Sequence, residues 1–499
     1  MPEAEPLART TAGTVRGRIE DGIAVFRGIP FAQPPVGGLR FAAPRPPDPW
    51  DGARDAFAFG PPPPQSATGR IAPGGALDGA GTGEWLTVNV WSPDPGAANL
   101  PVMVWVYGGA YAAGYSGDPV YDGARFARLG VVLVTFNYRV GMEGFAQIEG
   151  APANRGLLDQ VAALGWVRDN IAAFGGDPGQ VTVFGESAGA GSIAALLAAG
   201  PAAGLFRQAI AQSVPGTFFT AALAADIAAA AAAEVGARAR ADELAVVDPA
   251  RLVAAGEAVV ASFGRRADRW GPVAHTLTPY SPVVDGEVLP SAPWQAVADG
   301  SARDIRLIVG HNRDECRLFT AGQPDISAAA EQALRAFSPA DGGADAYRTA
   351  FPAASVERLY ELAYSDWLFR MPSLHLAEAQ AAAGGTAFGY ELTYRAPGHG
   401  GVLGACHGLD VPLLYGAFTA GFGQLLFGDP VPPSAVDLGD QMRASWTAFA
   451  AGGDPGWPAY APAGRLTRIF DDPVTVVTYP EETSRRLWAR HRFGVLDLC

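Results

Sequence analysis

Four short runs along the chain are apolar at nearly every position: VMVWVY at 102–107, VVLVTF at 131–136, VTVF at 181–184 and IRLIVG at 305–310. A strand with one wet face alternates apolar and polar residues. A run apolar on both faces fits a strand buried in a parallel sheet, with helices on either side. Helical stretches separate these runs. In GLLDQVAALGWVRDNIAAF, Leu157, Val161, Leu164, Val167 and Ile171 recur at helical spacing and form one stripe facing the sheet. The pattern predicts an α/β protein with a mostly parallel central sheet flanked by helices.

The stretch from about 215 to 280 breaks this rhythm. It is alanine-rich and helical in propensity, and strand signals return only at YSPVVDGEVLP. A second helical block spans about 326–382. Both are expected to be cap insertions roofing the carboxyl ends of the strands, where open α/β sheets bind ligands. With no internal repeat and no long linker, residues 1–499 are expected to form a single domain.

Composition narrows the function. The 499 residues are 49% hydrophobic and 17% charged, which excludes general disorder. A net charge of −14 argues against nucleic acid and anionic membrane surfaces as partners. Every basic side chain is Arg, since no Lys occurs, and this excludes Schiff-base, P-loop and Ser-Lys chemistry. Cys316, Cys406 and Cys499 are few, odd in number and without C-x-x-C spacing, which favours a reducing compartment. MPEAEPLARTTAGTVRG has the features of no signal peptide, and the alanine-rich run at 219–235 contains Asp226 and is too weakly apolar to span a bilayer. A cytoplasmic, soluble protein is expected. Histidine spacing and the absence of a dinucleotide fingerprint predict no metal and no cofactor. The sequence sets no oligomeric state, so monomer and dimer both stand.

One stretch carries chemistry. VTVFGESAGAGS, 181–192, runs from an apolar strand into G-x-S-x-G around Ser187 and then into small helix formers. A sharp strand-to-helix turn would lift Ser187 above the sheet at a helix N-terminus, with Gly185 and Gly189 relieving the crowding. A glycine turn holding an incidental serine is the plain alternative for the bare motif. A nucleophilic serine needs a base, and the base needs an orienting acid. LIVGHNRDECRLF supplies Asp314 and Glu315 after a strand, and GACHGLDVPLLYG supplies His407 between glycines. Of the histidines after Glu315, His375 lies in a helical block, His399 in a PGHGG turn and His491 in a charged tail, so His407 is best placed. VWVYGGAYAAG ends a strand in small residues whose N–H groups, with that of Ala188, would hold an oxyanion.

These residues resemble the type-B carboxylesterases of the α/β-hydrolase superfamily, the group of bacterial para-nitrobenzyl esterases and cholinesterases, and actinobacterial carboxylesterases most of all. The likeness runs from VFRGIPFAQPPVGGLRFAAPRPPDPW through VMVWVYGGAY and NRGLLDQVAALGWVRDNIAAFGGDPGQVTVFGESAG to FAAGGDPGWPAY. It implies an α/β-hydrolase fold and a serine carboxylic-ester hydrolase acting on small to medium apolar or aromatic esters. In that reading Ser187 is the nucleophile, His407 the base and Glu315 the orienting acid. Gly109, Ala110 and Ala188 supply the oxyanion hole, while Glu186, Ser213 and Asp410 support the triad. Ala110 stands where a third glycine is common, and Tyr107 where many members have histidine. The disulfide of secreted relatives would fall near Pro63 and at Trp85. RIAPGGALDGAGTG holds no tryptophan for a choline cation. Phe218, Phe219, Trp270, Phe319 and Trp367 are candidates to line an apolar pocket, while each taken singly reads more readily as ordinary core. The alternative is a catalytically silent binding or scaffold protein, which the complete triad disfavours. Amides, carbamates, lactones and aromatic diesters stand beside simple esters as substrates.

Overall fold

The structure is a computed structural model that describes residues 5–65, 83–321, 327–339 and 342–499. Its centre is an eleven-stranded sheet. In chain order the strands are β1 (Arg18–Glu20), β2 (Ile23–Pro30), β3 (Thr87–Ser92), β4 (Leu100–Val106), β5 (Val132–Phe136) and β6 (Gly176–Glu186). There follow β7 (Gln208–Gln212), β8 (Arg306–Asn312), β9 (Ala387–Leu392), β10 (Leu466–Phe470) and β11 (Thr475–Thr478). Across the sheet the order is β11-β10-β9-β8-β7-β6-β4-β5-β3-β2-β1. The strands from β10 to β5 in that order are mutually parallel, and the edge strands pair antiparallel.

The apolar runs explain this arrangement. Val102, Met103, Val104, Trp105 and Val106 are all 0% exposed. Because successive residues point to opposite faces, both faces are covered. On one side lie α1 (Arg155–Asn170) and α2 (Ala188–Ala198), which pack on each other and on β6. α1 buries Leu157, Leu164, Val167 and, just past its end, Ile171, while Val161 is only half-buried. α2 is buried at every position, which its sequence AGAGSIAALLA of small and aliphatic residues permits.

The alanine-rich stretch contains helices Ala221–Glu234 and Pro249–Ala261. It also holds a two-residue strand, Phe219–Thr220, pairing with Val283–Val284, so strand structure begins earlier than the sequence signals. The second block is helical at Ser327–Phe337, Val356–Ser365 and Met371–Ala382. No helix among the described residues is long and apolar enough to cross a membrane.

One buried ion pair ties sheet, helix and amino-terminal segment together. Arg139, just past β5, donates from its backbone N–H and Nε to Asp159 Oδ2 of α1, at 3.0 and 2.8 Å, and from Nη2 to Oδ1 at 2.7 Å. Its remaining nitrogen donates to the Ala42 carbonyl at 2.7 Å, and both side chains are 0% exposed. Removing one partner strands a charge in the core, which costs about 3–5 kcal/mol. Asp159→Ala therefore unfolds at clearly lower urea than wild type, as followed by tryptophan fluorescence.

Candidate active site

Ser187 sits between β6 and α2 with φ 58° and ψ −126°, a conformation few L-residues adopt. The flanking glycines make the turn possible. A Cβ on Gly185 would stand 2.4 Å from the Val106 carbonyl oxygen of β4, and one on Gly189 would stand 2.0 Å from it. The turn is pinned by the Ser187 N–H donating to the Gln212 carbonyl at 2.9 Å and by Gly191 N–H donating to the Ser187 carbonyl at 2.9 Å. Serine commonly caps a helix with its hydroxyl, yet this one makes no capping bond. It opens into a cavity of about 490 Å³.

The turn after β4 borders the same cavity. A Cβ on Gly108 would lie 3.1 Å from that of Ser187. Gly109, Ala110 and Tyr111 have φ of 113°, 55° and 57°. The two L-residues among them cost about 1–2 kcal/mol each. Among the described residues nothing accepts from the N–H groups of Gly109, Ala110 or Ala188. Gly109 and Ala110 line the cavity, and Ala188 directly follows Ser187.

His407 also lines the cavity; its Nδ1 meets Glu315 Oε2 at 2.6 Å, and both side chains are buried. The other Glu315 oxygen accepts from the Ser213 hydroxyl at 2.6 Å and the Asn312 N–H at 2.8 Å. Asp314 faces elsewhere: it takes the Ala405 N–H at 3.1 Å and pairs with Arg317 at 2.9 Å. Phe369 stacks on the His407 ring with centroids 4.1 Å apart. Asp410 accepts from Gln212 Nε2 at 2.7 Å and lies beside Asn312, whose own Nδ2 donates to the Cys406 carbonyl at 2.8 Å. This network braces the loop bearing the imidazole. The Ser187 hydroxyl makes no hydrogen bond among the described residues, while His407 Nε2 lies 3.1 Å from Glu186 Oε1. Burial pushes the Glu186 carboxyl up to about 8. Burial pulls His407 down, but the charges of Glu186 and Glu315 outweigh it, and its pKa rises to about 9. Burial instead lowers His311 and His375 to about 4.

Of the five aromatic candidates, only Phe319 lines this cavity, and the other four take the core reading. Trp270 is fully buried, with its indole N–H on Asp226 at 2.8 Å, and Phe218 packs edge-on to Trp294. Trp367 packs on Phe337, and Phe219 lies buried in its short strand. These four belong to the buried core instead, where the demand for apolar volume is as great as in a pocket. The walls come instead from Tyr115, Tyr121, Leu277, Leu318, Val411 and Phe422. Pro63 and Trp85 are both buried, Cys316 and Cys406 are buried unpaired thiols, and Cys499 is exposed. The choline-site stretch at 70–83 lies, but for Gly83, outside the described residues.

A mostly parallel sheet with a serine on the turn after a central strand, and an acid and a histidine after later strands, defines an α/β hydrolase. Comparison with known proteins extends this. The carboxylesterase family profile matches residues 4–472. The para-nitrobenzyl esterase of Bacillus subtilis (strain 168) is 35% identical over 96% of this chain and 98% of its own. A fumonisin B1 esterase of Sphingopyxis macrogoltabida is 36% identical over 92% of this chain and 85% of its own. Among solved structures, a Geobacillus stearothermophilus carboxylesterase superposes with a TM-score of 0.84 at 32% identity, covering 97% of this chain and 99% of its own. The chain belongs to the carboxylesterase family and is a carboxylic-ester hydrolase.

The Val106 oxygen leaves no room at Gly189. Gly189→Ala therefore loses ester hydrolysis or folded protein, whereas alanine at the open, exposed Gly200 retains both; soluble yield and p-nitrophenyl butyrate turnover distinguish the two.

Proposed function

We propose that Ser187, His407 and Glu315 form the catalytic triad of this hydrolase, acting on small to medium apolar or aromatic esters through an acyl-enzyme. The observation that carries this reading is the 2.6 Å bond from Glu315 to His407 on a cavity that also exposes Ser187 and the turn whose N–H groups have no acceptor among the described residues. Glu315, accepting from three donors, keeps the Nδ1 proton in place and leaves Nε2 to act as base. Nε2 turns from Glu186 to the Ser187 hydroxyl as substrate enters, since catalytic hydrogen bonds tighten in the complex. Ser187 Oγ then bonds to the ester carbonyl carbon while its proton passes to Nε2. The oxyanion is received by the N–H groups of Gly109, Ala110 and Ala188, each worth about 3–4 kcal/mol at the transition state. Collapse of this adduct expels the alcohol, which takes the proton from Nε2. Water activated by the same nitrogen then releases the acid.

Apolar walls and the cavity of about 490 Å³ support the substrate class. The relatives named as a para-nitrobenzyl esterase and a fumonisin B1 esterase support an ester as the substrate. Leu277 and Phe369, from the two helical insertions, reach the site and support the reading of those insertions as a cap. Sparse cysteines, two of them buried thiols, support a cytoplasmic location.

Ser187→Ala lowers kcat on p-nitrophenyl butyrate by roughly 10⁶-fold and abolishes labelling by a fluorophosphonate probe. Near-normal turnover by this variant overturns the assignment, and a wild-type chain that neither turns over esters nor labels points to a silent scaffold.

Glu186 and His407 titrate as a pair, and the base works only when the pair has lost its proton. Activity therefore rises with pH through their titration. Glu186→Gln removes an attraction that holds the imidazole up, so the midpoint of the rise in kcat/KM moves to lower pH. An unmoved midpoint shows that Glu186 does not set it.

A further inference from the structure

The turn from Gly108 to Gly114 holds four residues at positive φ, Gly109, Ala110, Tyr111 and Gly114, the last at 134°. Such a path persists only where contacts over-determine it. Its entry is braced by Tyr107, whose ring stacks on Tyr138 at 4.3 Å and whose carbonyl accepts from the Tyr138 hydroxyl at 2.6 Å. Its middle is held by the Gly141 N–H donating to the Tyr111 carbonyl at 2.6 Å, and by the Gly109 carbonyl accepting from Ala112 and Ala113 at 3.0 Å each.

The exit is held by one side chain. The Gly114 N–H donates to Gln65 Oε1 at 2.9 Å, and Gln65 Nε2 donates to the Gly114 carbonyl at 2.8 Å. Among the described residues nothing else binds either group of Gly114. Gln65 Nε2 also donates to the Pro63 carbonyl at 3.1 Å, and the residue is 8% exposed, on the wall of the cavity. Exit and entry are in contact. A Cβ on Gly114 would fall 2.2 Å from the Tyr107 ring and 2.8 Å from the Gly108 carbonyl oxygen. Movement at Gly114 is therefore movement beside Gly109 and Ala110.

We infer that Gln65 is a positioning residue for oxyanion binding. Its carboxamide clamps both polar groups of Gly114 and thereby aims the N–H groups of Gly109 and Ala110. This rests on the assignment of those two groups as oxyanion donors under Proposed function. Because full negative charge develops on the carbonyl oxygen only near the transition state, misaimed donors slow turnover without weakening substrate binding.

The test uses Gln65→Met, which keeps the length of the side chain and removes both hydrogen bonds to Gly114 together with the one to Pro63. kcat and KM are measured on p-nitrophenyl butyrate, with inhibition by an aryl trifluoromethyl ketone and by the matching trifluoromethyl carbinol. The ketone adds to the serine and places an oxyanion among the donors, whereas the carbinol only fills the cavity. Wild type is expected to bind the ketone far more tightly than the carbinol. In Gln65→Met, kcat and ketone affinity fall together by about 10- to 100-fold, with KM and carbinol affinity within about twofold of wild type. If the methionine variant does not fold, Gln65→Glu retains an acceptor for the Gly114 N–H, loses the donor, and is expected to show the same split at reduced size. An unchanged kcat, or ketone and carbinol affinities falling equally, overturns the role of Gln65 while leaving the donors in place. A wild-type enzyme with no preference for the ketone overturns the donor assignment itself, and the inference with it.

Discussion

Everything at the site follows from how close β6 and α2 come to β4. The Val106 carbonyl oxygen occupies the space that side chains on Gly185 and Gly189 would need. Only with both positions bare can the chain reverse within a single residue and leave Ser187 at φ 58°. The strain is offset by burial: α2 is enclosed along its full length, and the strands beneath it have no exposed residue at their centres. A turn that would be unstable on a surface is thus held by the volume of apolar structure around it.

A second constraint is the placement of charge. Glu186, Glu315 and Asp410 are buried close to one imidazole, and among the described residues no arginine partners any of them. Glu315 and Asp410 are supported there by directed donors, Ser213 and Asn312 on Glu315 and Gln212 on Asp410, whereas burial raises the Glu186 carboxyl. This contrasts with Asp159 and Asp314, which are paired to arginines and serve as struts. Carboxylates supported by neutral donors keep their pull on a neighbouring imidazole, because no guanidinium cancels it.

Much of this is legible in the sequence where neighbours in space are also neighbours in the chain. The runs at 102–107, 131–136 and 305–310 lie within a residue or two of β4, β5 and β8. Glu315 stands just past the end of β8 and His407 in the longer loop after β9, and the structure brings them together. VTVF understates β6, which begins at Gly176, since GDPGQ reads as a turn until Leu100 pairs with Gly176. Phe369 gives no sequence signal, because its stacking on His407 depends on how a distant helical block is laid over the sheet. Gln65 looks like one more polar residue after a proline run. The aromatic candidates follow the commoner fate of large rings: four of the five are buried core and Phe319 alone of them walls the cavity.

The distribution of reactive side chains has a practical side. Cys499 is the exposed cysteine, at the last position of the chain, while Cys316 and Cys406 are sealed within the interior beside the acid and the base. With no lysine anywhere, amine reagents find only the α-amino group. A maleimide support or dye would consequently capture the folded molecule through Cys499, whose sulfur lies beside Gly271 of the first insertion.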